Sequence, residues 1–237
     1  MEIWSVLVFG MLVGMQHALE ADHLAAVAAM SAKKSSRRQL VLRGAYWGLG
    51  HTLALFAICG AAILLGLAIS ERVEAVLEFC VGVMIILLGG HVLLTLFRRR
   101  IHFHVHQHGG ERHVHAHAHA GESTGHDASP HAHAHPGGGF IKALIVGLVH
   151  GAAGSGGLLV LVVAVSQSTF WALFTVLSFG LGSIMGMATL SFVASYPLKF
   201  LEKGASWINH AVMAAIGGFA VLIGSALVIE NAAMLGF

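Results

Sequence analysis

Long apolar runs separated by short polar clusters account for most of the chain. Six stretches, 3–31, 43–69, 74–97, 141–166, 170–196 and 206–230, stay apolar over about 20 residues or more, the length a helix needs to cross a bilayer core. None alternates with period 2. In lipid only helices and closed barrels satisfy their own backbone groups, so the pattern predicts six transmembrane helices. Composition agrees: 57% of the 237 residues are hydrophobic and 10% are charged, against about 25% charged in a soluble domain. Mean hydropathy is +0.80. The expected fold class is an all-α polytopic membrane protein, with no cleavable signal peptide, because the N-terminus lacks a basic leader segment.

Charge changes the picture by its placement rather than its sum. A net +2 carries no argument for nucleic acid, and none is expected as a partner. Lys33, Lys34, Arg37, Arg38 and Arg43 fall between spans one and two. Arg98, Arg99, Arg100, Arg112 and Lys142 surround the third connection, and Lys199 and Lys203 the fifth; Arg72 alone falls on the other side. By the positive-inside rule this puts both termini outside and the long third connection in the cytoplasm, in a cell inner (plasma) membrane. That connection, 98–139, divides the chain into a first three-helix unit (1–97) and a second (140–237). It holds 12 of the 18 histidines, together with Gly, Ala and two of the three prolines. It reads as a disordered, His-rich, metal-buffering loop. Cys59 and Cys80 lie in apolar runs and offer no disulfide framework.

The two units echo each other. "VGMQHALEA" (13–21) matches "VGLVHGAAG" (146–154), "WGLGHTLAL" (47–55) matches "FGLGSIMGM" (179–187), and "GVMIILLGG" (82–90) resembles "GGFAVLIGS" (217–225). His17 thus stands opposite His150, and His51 opposite Ser183. Three spans is an odd number, so a second copy is inverted in the membrane. Inverted repeats around a midplane site are a transporter architecture. Gly48, Gly50, Gly180 and Gly182 would let the helices approach closely.

Every histidine outside the loop falls in a span: His17, His23, His51, His91, His150 and His210. The first span also carries Glu20 and Asp22. A carboxylate at a helix centre costs about 3 kcal/mol on the insertion scale, so such groups point to function. Two acids beside imidazoles suit a divalent ion with an N/O preference, such as Ni, Co, Zn or Mn. His17, Glu20, Asp22, His23, His51, His91 and His150 are the candidate metal-handling residues. At about 100° per residue, His17, Glu20 and His23 share one side of a helix, while Asp22 points about 140° away. Either the helix is broken there, or Asp22 orients a ligand imidazole instead of binding the ion. Glu78 reads equally as a snorkelling acid and as a guard at the outer entrance.

These residues resemble a known family. "HALEADH" (17–23) fits the His-x4-Asp-His pattern of the nickel/cobalt transporter (NiCoT) superfamily, and "GLGHTLAL" (48–55) resembles its second signature, a Gly-His-Ser/Thr step. The closest branch is the six-span type resembling urease-accessory nickel permeases. The resemblance implies that His17, Asp22 and His23 handle metal and that His51 belongs to the second motif. Longer members carry acidic signatures in later helices; here the matching stretches, "GLVHGAAGSGG" and "GLGSIMGMATLS", hold no carboxylate.

The expected function is therefore a secondary transporter for Ni2+, with Co2+ as a second substrate. It would move the ion inward, since a divalent cation gains about 4.6 kcal/mol per 100 mV on entry. No cofactor is expected, the metal being cargo, and a cytoplasmic metallochaperone is a candidate partner. Oligomeric state is left open. Competing readings are Ni2+/Co2+ efflux, membrane metal storage or sensing centred on the loop, and an intramembrane hydrolase using Ser155 and His150. The last is disfavoured because five residues separate that pair by about 140° around a helix, and the chain is expected not to be an enzyme.

Overall fold

The computed structural model describes residues 3–31, 36–98, 102–108, 111–117, 138–166, 168–203 and 206–236. Among the described residues eight helices follow one another: α1 (Ile3–His17), α2 (Ala21–Ser31), α3 (Arg37–Leu65), α4 (Glu71–Arg98), α5 (Gly138–Ala153), α6 (Ser155–Val165), α7 (Thr169–Lys203) and α8 (Ser206–Leu235). α3, α4, α7 and α8 are long and apolar enough to cross a membrane, and α1 with α2 forms a fifth such stretch bent by 63°. α5 and α6 occupy the remaining apolar run, interrupted at Gly154. The protein is a helical membrane protein, and its surface carries the expected large apolar side chains, among them Trp4, Phe97, Trp207 and Ile229.

Helix ends follow local chemistry. α3 begins six residues before the apolar run because Ser36 and Gln39 form a capping box, each side chain bonding the other's backbone N–H. It ends at Gly66, whose φ of 64° is the left-handed conformation that terminates a helix.

Two segments of the third connection depart from the expectation of disorder. His102–His108 (β1) and Glu111–His117 (β2) pair antiparallel, with His102 opposite His117, His104 opposite His115 and His106 opposite His113. The sequence explains this. Histidine alternates with Phe103, Val105 and Val114 at period 2, and Gly109-Gly110 between the strands is a two-residue hairpin signature. Residues 99–101, 109–110 and 118–137 of this connection, with Lys33 and Lys34, lie outside the described residues.

α1 packs on α7, α5 on α3, α3 on α7 and α4 on α8. The closest approaches recur at the offset of the sequence echo. A Cβ on Gly14 would overlap the Phe179 carbonyl, and one on Gly147 the carbonyl of Trp47; one on Gly50 would overlap the Leu144 carbonyl, and one on Gly182 that of Met11. Among lipid tails no hydrophobic force drives helices together, so such backbone contacts and interhelical hydrogen bonds carry the assembly. The Thr52 hydroxyl donates to the Gly180 carbonyl at 2.9 Å, and that of Ser183 to the Gly14 carbonyl at 3.3 Å. Arg37 stacks 4.4 Å from the Tyr196 ring centroid, so the start of α3 and the last turns of α7 meet at one end of the bundle.

Among the described residues three apolar clusters fill the interior. Leu55, Val162, Val176 and Phe179 belong to the first, Val81, Ile85, Ala153 and Ala220 to the second, and Trp47, Ala143 and Met187 to the third. The polar groups of α1 and α2 lie where the three adjoin.

Candidate metal centre

α1 stops at His17. Leu19 and Glu20 bond back to the Gln16 and His17 carbonyls in a tight turn, and α2 resumes when Leu24 N–H reaches the Glu20 carbonyl. This break resolves the angular conflict of an unbroken helix. The ring of His17 lies 4.5 Å from that of His23 and 5.2 Å from that of His51, and His23 lies 5.3 Å from His51, measured between centroids. One nitrogen from each of the three falls within 4.8 Å of the others. His23 and His51 are buried, and His17 is 14% exposed.

The carboxylates sit behind the imidazoles. Glu20 Oε1 is 2.8 Å from His17 Nδ1. Asp22 Oδ1 accepts the backbone N–H of His23 at 2.8 Å and lies 2.9 Å from its Nδ1, while Oδ2 is 2.7 Å from His150 Nε2. A carboxylate only accepts, so each imidazole donates the bonded N–H and keeps its lone pair on the other nitrogen. Those nitrogens, His17 Nε2, His23 Nε2 and His150 Nδ1, are buried and have no partner among the described residues, as is true of both of His51. This is how a ligand histidine is oriented by an outer carboxylate. Three neighbouring imidazoles suit a borderline transition-metal cation far better than an oxygen-seeking ion.

Helix termini add to the field. α1 ends at His17 and α5 at Ala153, directing the negative ends of two helix dipoles toward this region. The positive ends of the helices that follow are offset. Asp22 occupies the first turn of α2. α6 has no acid in its first turn, but a Cβ on Gly156 would overlap the Glu74 carboxylate, which reaches over from α4.

Of the expected site residues, the structure gathers His17, Glu20, Asp22, His23, His51 and His150. His91 is exposed on α4 and belongs to neither group of close ligand atoms among the described residues. Two neighbours were not anticipated. The Trp47 ring packs 5.5 Å from His23 and 5.6 Å from His150, and the Phe179 ring 5.3 Å from His17. Both fall at the same place in the two echoed segments, the only sequence signal they carry. The Ser155 hydroxyl donates to the Ala152 carbonyl at 2.8 Å, and His150 Nε2 is bonded to Asp22, so the two form no nucleophile–base pair.

No known protein-family model matches the sequence, and no solved structure resembles it. The chain is similar to a protein named urease accessory protein UreH from Bacillus sp. (strain TB-90), 29% identical over 218 residues, which cover 92% of this chain and 87% of that one.

Proposed function

We propose that the chain is a secondary transporter for Ni2+, with Co2+ as a second substrate, made of two inverted three-helix repeats. It spans the cytoplasmic membrane six times, with both termini outside and the His-rich hairpin in the cytoplasm, and moves the ion inward. The observation that carries this reading is the trio His17, His23 and His51. One ligand nitrogen from each lies within 4.8 Å of the others at a helix break, and among the described residues no group satisfies the buried lone pairs of these rings. Glycine contacts that recur at the repeat offset, and the breaks near His17 and at Gly154, support the inverted-repeat architecture. Similarity to a protein named as accessory to urease agrees with the resemblance to urease-accessory nickel permeases.

In this mechanism His17, His23 and His51 replace water around the ion. Glu20 and Asp22 hold the first two rings and offset about two positive charges. His150, held by the same Asp22, links the second repeat to the ligand shell of the first, so a movement of α5 changes the site. The membrane potential drives entry.

The test is accumulation of radioactive nickel in cells expressing the wild type, His17→Ala or His23→Ala. Accumulation above the empty-vector control, lost in both variants, is the expected result. Accumulation below the control would show export, and three traces matching the control would reject transport by this chain alone.

A further inference from the structure

Beside the imidazole trio lies a cavity of about 90 Å3. His17, Glu20, Asp22, His23 and His150 line it, together with Glu78 of α4. We propose that this cavity is a second cation position, where Glu78 and Glu20 hold a partly hydrated divalent cation before it passes to the imidazoles. This rests on the transport reading and adds to it an entry step, an entry side and a ligand outside both sequence motifs.

The placement carries the argument. Glu78 lies seven residues from the Glu71 end of α4, and Leu227 lines the cavity from the half of α8 nearer Leu235. Both are remote from the Arg98 and Ser206 ends, where α4 leads toward the His-rich hairpin. The cavity is therefore reached from the membrane face opposite that hairpin. Its rim is polar: the Glu20 side chain is 56% exposed, and Glu78 is half-buried beside the buried Asn231 of α8. Its inner wall is not merely acidic. His23 and His150 are almost wholly buried there, at 1% and 2% exposure, each with one nitrogen that has no partner among the described residues.

The chemistry is complementary at the two ends. Carboxylate oxygens bind a cation that keeps several waters, whereas imidazoles bind one that has shed them. The cavity has room for such waters. Glu20 touches both environments, since it lines the cavity while holding His17 Nδ1 at 2.8 Å. It is the point of hand-over.

The test measures initial rates of radioactive nickel uptake against concentration for wild type, Glu78→Gln, Glu78→Asp and His51→Ala, with the amount of folded protein in the membrane fraction determined for each. Glu78→Gln is expected to raise KM about tenfold, the low end of what a cleft of one charge sign contributes to cation capture. Its maximal rate at saturating nickel should stay near wild type, and Glu78→Asp should fall between the two. A KM for Glu78→Gln equal to wild type, at any maximal rate, overturns the second position. If Glu78→Gln does not fold, Glu78→Asp decides: a raised KM supports the proposal and an unchanged one overturns it. Wild type without uptake, or His51→Ala with full uptake, would strike the transport reading itself, a result separable from either outcome at Glu78.

Discussion

Replacing Asp22 by Asn tests whether this carboxylate acts through the imidazoles it holds. It makes three contacts, with the His23 backbone N–H, His23 Nδ1 and His150 Nε2, at 2.8, 2.9 and 2.7 Å. Asparagine has nearly the same shape. Its oxygen can keep both His23 bonds, but without the charge, and its amide nitrogen then faces His150 Nε2 and forces that ring into its other tautomer. Turning a charge-assisted hydrogen bond into a neutral one costs about 1 kcal/mol. Over the two His23 bonds this is about 2 kcal/mol, or roughly 30-fold in affinity. A cation on His23 Nε2 acidifies Nδ1–H and so draws most heavily on these bonds when the site is filled. The expected outcome is a KM for nickel uptake raised about 10- to 30-fold, within the range for outer-shell partners of metal ligands. The assay is concentration-dependent uptake, with folded protein quantified in the membrane. Wild-type KM and rate in Asp22→Asn, alongside an inactive His23→Ala, would refute the reasoning, because a neutral amide would then suffice.

Other expectations follow from the same geometry. His51→Ala removes one of three converging ligands and should abolish uptake, whereas His91→Ala, exposed on α4, should leave rate and KM unchanged. Gly147→Ala drives a methyl group into the Trp47 carbonyl and should cost about 1–3 kcal/mol, the usual range for overpacking, read as a lower unfolding temperature in detergent. An unchanged temperature would mean the helices separate there freely. Ser36→Ala removes the cap of α3 and should cost about 1 kcal/mol by the same measurement, with KM unaffected.

The class of protein and the positions of its apolar runs are legible in the sequence alone, because the cost of unsatisfied backbone in lipid leaves few solutions. All six expected stretches contain helix. The sequence also made the candidate residues conspicuous, since His17, Glu20, Asp22 and His23 are too polar for the run that holds them. The equivalence of Gly14 with Gly147 could be read from the echo between the halves, and the structure uses both in the same kind of close contact. Tertiary structure decided the rest. The interruption at Gly154 has a local glycine signal, but the one after His17 falls on Ala18-Leu19-Glu20, residues of high helix propensity. No local preference breaks the chain there. The break comes with contacts made by distant segments: α1 held against α7 at Gly14, and Asp22 bonded to His150, 128 residues away. The same long-range packing selects His51 and leaves out His91, though both are lone histidines in apolar helices. Depth along a helix is legible from sequence, but the direction a side chain faces depends on which helix becomes its neighbour.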